Sequence, residues 1–124
     1  ELNQGTLFAY TATTAAYEKG GDWFDEMLAY VQGNIDFVDQ FLNEHIPQIH
    51  AMRPEASFLV WLDCRELGLT RGELVTLFVE RAGLAMNEGS MFGPGGEGFM
   101  RLNVGTSRSI LIKALNKLKK AIDG

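Results

Sequence analysis

Residues 57–64 read Ser-Phe-Leu-Val-Trp-Leu-Asp-Cys, and this stretch decides the fold. It is nearly continuous in apolar side chains, which is typical of a strand buried on both faces. A second strand is predicted at residues 99–104, and shorter ones at 48–52 and 84–87. The chain is therefore expected to build a small sheet around residues 57–64.

Four helices are predicted around this sheet. Gly20-Gly21 ends the first, and Asp22 is the expected N-cap of the second. A capping box of Thr70 and Glu73 opens the third, and Ser107 caps the fourth. The four helices are predicted at residues 6–19, 22–45, 71–82 and 107–122.

The second helix is the most distinctive. Its apolar residues recur mostly at spacings of three and four, which indicates one buried face. It is roughly 35 Å long at about 1.5 Å per residue, and Pro47 closes it. A helix this long in a short chain is more natural as a connector than as a layer element. The apolar stripe consists of Phe24, Met27, Leu28, Val31, Ile35, Val38, Phe41 and Leu42.

The order of elements is helix, helix, strand, strand, helix, strand, strand, helix. This order predicts a two-layer α/β (α+β) fold, in which helices pack on a small sheet.

Composition excludes several classes of protein. The 124 residues are 46% hydrophobic with a formal net charge of −5, which fits one folded domain and argues against disorder and nucleic-acid binding. Cys64 is the only cysteine, so disulfides do not hold the fold. No apolar run is long enough to cross a membrane, and no signal peptide is visible, so we expect a cytoplasmic setting.

Most residues that could bind a metal or a nucleotide, or act as a nucleophile, are better interpreted as ordinary surface, core or loop residues. His45 and His50 are five apart, which does not place both rings on one helical face, so no metal site is predicted. Cys64 is expected to be a core residue. The glycine-rich loop at 88–98 lacks the Gly-Lys-Ser/Thr ending of a P-loop and leads into a strand, which disfavours nucleotide binding. We expect its glycines to take positive φ angles.

Arg101 is the strongest candidate for a binding residue. Strand alternation places Phe99, Arg101 and Asn103 on one face of the sheet. An arginine beside an asparagine, near a glycine-rich loop, suits an anionic ligand, because a guanidinium binds carboxylates through two parallel hydrogen bonds. The alternative is a structural ion pair with a nearby acid.

Several of these motifs follow the order seen in fold-type I pyridoxal-phosphate enzymes. Residues 58–69 resemble their Tyr-Leu-x-Trp-Leu-Asp segment. Gly89-x-x-Phe-Gly93 and Gly98-Phe-Met-Arg-Leu-Asn103 follow, with Arg108 beyond. The resemblance also includes residues 15–23 and the pair Tyr30 and Asn34, so it covers nearly the whole chain. It is closest to the class I/II aminotransferase branch that holds the cystathionine β-lyases of the MalY and PatB type.

This resemblance implies a domain organisation and a role for Arg101. Residues 1–21 would end a large domain, and 22–124 would form the C-terminal small domain, entered through the inter-domain helix 22–46. Arg101 would bind the α-carboxylate of an amino-acid substrate. The intact enzyme would use pyridoxal phosphate and form a homodimer. Asn103 and Arg108 match the family pattern without an assigned role.

The chain also departs from the family. The Schiff-base lysine and the phosphate-binding segments belong to the large domain and have no counterpart here. A Schiff-base lysine needs a desolvated setting, which none of the lysines present offers. Because the chain also starts at Glu1, we expect a C-terminal fragment that is inactive alone and has no catalytic, cofactor-binding or metal-binding residue. The lysines are Lys19, Lys113, Lys117, Lys119 and Lys120.

Two alternatives remain open at this point. The chain could be a free-standing α/β regulatory module that senses a small carboxylate with Arg101 and the glycine-rich loop. It could also be a dimerisation module without a ligand.

Overall fold

The computed structural model describes residues 5–124. The chain divides into two compact units, one ending at Tyr30 and the other running from Val31 to Gly124.

The first unit contains helix α1 (Leu7–Lys19) and the start of helix α2 (Gly21–His45). The Thr6 hydroxyl accepts a hydrogen bond from the Ala9 amide and caps α1. The predicted N-cap at Asp22 is wrong, because α2 begins one residue earlier and Asp22 lies in its first turn. None of the residues of α1 is buried, and Phe8 and Tyr17 are 84% and 90% exposed.

In the second unit, α2 buries one face and ends at His45, just before Pro47. The predicted stripe is confirmed only in this half of the helix, where Ile35, Val38 and Leu42 are buried. Phe24 and Leu28 belong to the same stripe but are about half exposed.

The four strands form one antiparallel sheet in the order β1-β2-β4-β3. The neighbours β2 and β4 pair Trp61 with Arg101, and β3 pairs Asn87 with the same arginine. The strands span β1 (His50–Met52), β2 (Leu59–Asp63), β3 (Asn87–Glu88) and β4 (Phe99–Asn103).

The sheet is covered on one face only. Val60 and Leu62 of β2 are fully buried, whereas the alternate residues Leu59, Trp61 and Asp63 are partly exposed. The expectation of a strand buried on both faces is therefore wrong. Antiparallel sheets commonly leave one face open, and here that face carries the candidate site.

The strand predicted at residues 84–87 is displaced, and β3 begins only at Asn87. The Leu84 amide donates to the Phe78 carbonyl at 2.8 Å, and Gly83 takes a φ of +65°. Leu84 therefore belongs to the end of the preceding helix, because a left-handed glycine commonly terminates helices in this way.

Two further helices lie in the second unit. The capping box of Thr70 and Glu73 is confirmed at the start of α3 (Arg71–Val75), which continues in wider π-helical turns at Thr76–Arg81. Helix α4 (Arg108–Asp123) begins directly after Ser107, which occupies the N-cap position as predicted, but the Ser107 side chain makes no capping hydrogen bond. The core combines residues of α2, α3, α4 and the covered sheet face. Its largest fully buried side chains are Phe78, Leu42, Ile46, Ile49, Leu62, Leu74, Met100, Leu111, Leu115 and Leu118.

The predicted order of helices and strands and the α+β class are confirmed. No helix in the described part of the chain is both long and apolar enough to span a membrane.

Candidate functional site

The open face of the sheet presents Arg101 between two side chains from neighbouring strands. The register pairs Arg101 with Trp61 on one side and with Asn87 on the other. Directly paired residues in an antiparallel sheet share a face. On the opposite face, Met100, Leu102 and Val104 are buried, so the predicted alternation along β4 is confirmed.

Arg101 is held without an acidic partner. Its Nη2 donates to Asn87 Oδ1 at 3.0 Å, and its Cζ lies 4.4 Å from the centre of the Phe92 ring. No carboxylate of residues 5–124 lies within 4 Å of this guanidinium. The structure therefore does not show the ion pair that would have made Arg101 a purely structural residue.

Three other arginines are ion-paired. Arg53 pairs with Asp36 at 2.8 Å, and Arg71 pairs with Glu88 at 2.9 Å. The guanidinium of Arg65 donates two hydrogen bonds to Asp63, at 2.9 and 2.6 Å.

The Arg65 contact also changes the acidity of its partner. The hydrogen bond from Arg65 is the largest influence on Asp63 and lowers the pKa of that carboxyl to about 2. The charge of Asp63 is thus compensated by Arg65, whereas Arg101 has no carboxylate of residues 5–124 within 4 Å.

An aromatic recess adjoins Arg101. The Trp61 ring meets Phe92 and Phe99 edge-on, with ring centres 5.4 and 6.5 Å apart. Together with Met52 and the glycine-rich loop, these rings line a recess of about 290 Å³. Arg101 stacks on Phe92, one wall of this recess. A positively charged group beside an apolar wall can hold a small organic anion by charge and by contact with its carbon skeleton.

The glycine-rich loop forms the other wall of the recess. Gly93, Gly95 and Gly98 take φ angles of +121°, +90° and +81°, which confirms the expected positive φ angles. Gly89 and Gly96 are required for a different reason, since a Cβ on Gly96 would lie 2.1 Å from the carbonyl oxygen of Gly89. The two backbones therefore touch where no side chain fits.

Sequence reasoning missed the buried carboxylate of Glu88, which anchors the start of this loop. It accepts hydrogen bonds from the Ser90 amide at 3.0 Å, the Ser90 hydroxyl at 2.5 Å and Arg71 Nε at 2.9 Å. Burial raises the pKa of Glu88, but the bonds from Ser90 and Arg71 outweigh it and lower the pKa overall. The signal in the sequence is an acid as the first residue of a glycine-rich loop.

Asn34 and Arg108 of the resemblance lie together in the second unit. The fully buried Asn34 amide donates to the carbonyls of Val104 and Thr106, both at 2.8 Å. Its Oδ1 accepts from Arg108 Nε at 2.6 Å. The pair joins α2 to the connection between β4 and α4.

The remaining candidates lie outside this site. Cys64 is buried, as expected for a core cysteine, and burial raises the pKa of its thiol to about 12. His50 Nε2 lies 3.1 Å from Glu66, and the His45 ring packs on Phe41. Within residues 5–124, no group of three or more His, Cys, Asp or Glu could hold a metal ion.

The lysines of this chain do not fit the Schiff-base position of a pyridoxal-phosphate site. Four of the five lysines are exposed to solvent, and the fifth, Lys119, is half-buried with its ammonium 3.2 Å from Asp123. A lysine that forms a Schiff base needs a desolvated amine of lowered pKa. None of the five lysine side chains is buried.

Comparison with known proteins identifies the relatives of the chain. No family model matches it. It is 42% identical to cystathionine β-lyase PatB of Bacillus subtilis over 115 residues, which is 93% of this chain and 30% of PatB. It is 33% identical to the protein MalY of Escherichia coli, over 98% of this chain and 31% of MalY.

A solved structure agrees with these relatives. Cystalysin from Treponema denticola, which contains a pyridoxal 5′-phosphate cofactor, superposes with a TM-score of 0.91 at 30% identity. The match covers 95% of this chain and 30% of cystalysin. The chain thus spans about 30% of the length of the relatives it matches, at their C-terminal end. It belongs to the pyridoxal-phosphate-dependent aminotransferase and C–S lyase family, and it corresponds to the C-terminal part of the PatB and MalY branch.

Proposed function

We propose that this chain is the C-terminal small domain of a pyridoxal-phosphate-dependent C–S lyase or aminotransferase that acts on amino acids. In this proposal, residues 1–21 end the large domain of the same protein, and residues 22–124 form the small domain with its connecting helix 22–46. The intact protein is a cytoplasmic homodimer.

The observation that carries the proposal is the guanidinium of Arg101, which is held in place but not neutralised. An amino-acid substrate always presents an α-carboxylate, and a guanidinium binds that group through two parallel hydrogen bonds. Arg101 has one hydrogen bond to Asn87 and an aromatic ring below it, and no carboxylate of residues 5–124 lies within 4 Å of its guanidinium.

The residues of this chain contribute binding and orientation. Arg101 holds the substrate carboxylate and so fixes the direction of the bonds at Cα. Trp61, Phe92 and the glycine-rich loop cover the carbon skeleton of the substrate and exclude water from it. In the larger enzyme, the small domain closes over the active site and opens again to release the product.

The chain alone is predicted to be inactive. Pyridoxal phosphate, when bound, withdraws electrons from Cα and so makes its proton acidic. The lysine that would bind the cofactor is expected in the large domain, because no lysine in this chain has a suitable environment. The choice between amino transfer and loss of a β-thiol group is also expected to depend on the large domain.

One titration tests the role of Arg101. The ¹⁵N-labelled chain is titrated with sodium acetate and followed by two-dimensional NMR, beside the variants Arg101→Gln and Arg53→Gln. We expect saturable shifts centred on β3 and β4 in the wild type and in Arg53→Gln, and their loss in Arg101→Gln. Arg53 is a matched control because it is exposed and paired with Asp36. Equal shifts in Arg101→Gln would refute the assigned role.

A second experiment tests the predicted inactivity. The purified chain is mixed with pyridoxal phosphate, reduced with borohydride and weighed intact by mass spectrometry. We expect no stoichiometric adduct at a single lysine. Such an adduct would reveal a self-contained cofactor site and contradict the proposal.

A further inference from the structure

We propose that Asn87 is the positioning residue for Arg101. Its neutral amide oxygen orients the guanidinium toward a carboxylate without neutralising the positive charge. This inference rests on the proposed function of Arg101 and adds a residue that acts through it.

The chemistry of its neighbours fixes the orientation of the Asn87 amide. Arg101 can only donate hydrogen bonds, so the amide oxygen must face its Nη2, at 3.0 Å. The thioether of Met91 can only accept, so the amide nitrogen must face its Sδ, at 3.3 Å. Both contacts require the same orientation of the amide, so the oxygen is held toward Arg101.

The segment that carries Asn87 also supplies the second restraint on Arg101. Phe92 lies at the end of the 3₁₀ turn Gly89–Phe92, and its ring packs against the guanidinium. Between the two, the buried Glu88 binds both the amide and the hydroxyl of Ser90. Residues 87–92 are therefore anchored in the middle and contact Arg101 from both ends.

The acceptor for Arg101 is a neutral amide, although carboxylates are the partners of other arginines in this protein. Carboxylates pair with Arg53, Arg65 and Arg71 at 2.6 to 2.9 Å. An aspartate at position 87 would do the same to Arg101 and would compete with any anionic ligand. An amide occupies one of the five N–H donors and leaves the full positive charge for the ligand. The arrangement thus combines a fixed orientation with an available charge.

Two substitutions separate these two properties. Asn87→Ala removes the acceptor, whereas Asn87→Asp keeps the shape and adds a competing charge. Asn116→Asp is the matched control, because Asn116 is exposed on α4 and bonded only within that helix, to the carbonyl of Ile112. The probe is trifluoroacetate, which stays ionised at every pH used, and binding to the intact chain is measured by NMR.

Asn87→Ala should weaken binding roughly three- to tenfold, the range expected for one hydrogen bond. Asn87→Asp should weaken it about tenfold or more, because the new carboxylate occupies the guanidinium. The affinity of Asn87→Asp should recover as acid protonates the new carboxyl, at a pH below the ordinary aspartate pKa of about 4, because the guanidinium favours the charged form. A merely structural role would not give this recovery. Asn116→Asp should bind like the wild type at every pH.

The outcomes distinguish the role of Asn87 from the role of Arg101, on which it rests. Wild-type affinity in both Asn87 variants, together with lost binding in Arg101→Gln, overturns the role of Asn87 and leaves that of Arg101. Equal weakening in Asn87→Asp at all pH values also overturns it. Binding that survives Arg101→Gln, or no binding by the wild type, overturns both.

Discussion

The side chain of Asn34 joins two distant parts of the second unit, because its Oδ1 accepts a hydrogen bond from Arg108 Nε at 2.6 Å. The same buried amide donates to the carbonyls of Val104 and Thr106. One side chain thus ties α2 to the chain that leaves β4, the strand that carries Arg101.

Asn34→Leu should lower the free energy of unfolding by about 2–4 kcal/mol, because it leaves buried polar groups without partners. Urea denaturation followed by tryptophan fluorescence measures the loss. Asn116→Leu serves as the control, since Asn116 is exposed on α4 and should change stability by less than about 0.5 kcal/mol. Similar values for the two variants would contradict a role for Asn34 in holding the fold.

Two glycine substitutions should change stability in opposite directions. A Cβ on Gly96 would meet the Gly89 carbonyl oxygen at 2.1 Å, whereas one on Gly72 would meet nothing within 4 Å. Gly96→Ala should destabilise the chain by about 1–3 kcal/mol or more. Gly72→Ala lies in α3 at an ordinary φ and should stabilise it by about 0.5–1 kcal/mol. Thermal unfolding of both variants checks the signs, and a stable Gly96→Ala would refute the close contact.

The ion pair of Asp63 and Arg65 predicts a pH dependence. The pKa of Asp63 is lowered from 3.8 to about 2, chiefly by the Arg65 hydrogen bond. A lowered pKa means that the ionised form stabilises the fold above the unfolded value, and that this contribution disappears as pH falls through the folded value. Asp63→Asn should therefore lower stability at pH 7, and the loss should shrink as pH falls from about 4 toward 2.

Denaturant unfolding across this pH range checks the prediction, with Glu55→Gln as an exposed acidic control. A stability difference between the wild type and Asp63→Asn that does not shrink on acidification would contradict it.

Helix α1 should contribute little to the stability of the second unit, because it buries no residue. Removal of residues 1–19 should leave the melting temperature within about 3 °C of the original value, since burial supplies most of the stability of a fold. Differential scanning calorimetry of the shortened chain measures this. A large fall in the melting temperature would show that α1 is packed against something in solution.

Local patterns explain which parts of the fold were predictable. The capping box at Thr70, the alternation along β4 and the stop at Pro47 depend on neighbouring residues, and the structure bears them out. Arg101 could be singled out for the same reason, since a charged residue inside an apolar strand is conspicuous in the sequence.

The features that the sequence did not predict depend on contacts between distant residues. Asn87 meets Arg101 only because β3 joins the far edge of β4, a register that no short motif encodes. Arg71 reaches Glu88 across 17 residues for a similar reason. The exposure of one sheet face was also missed, because Leu59 and Trp61 are as apolar as their buried neighbours.

The most direct test is a chimera of Bacillus subtilis PatB. In this chimera, this chain replaces the C-terminal part of PatB to which it is 42% identical. Cystathionine cleavage is measured for the chimera and for the same chimera with Arg101→Gln or Arg53→Gln. We expect an active chimera that Arg101→Gln impairs about 100-fold in kcat/KM, as expected for the loss of a charged, two-bond contact. Arg53→Gln should leave the activity unchanged. Equal kcat/KM values with and without Arg101 would contradict the central claim that this arginine binds the substrate carboxylate.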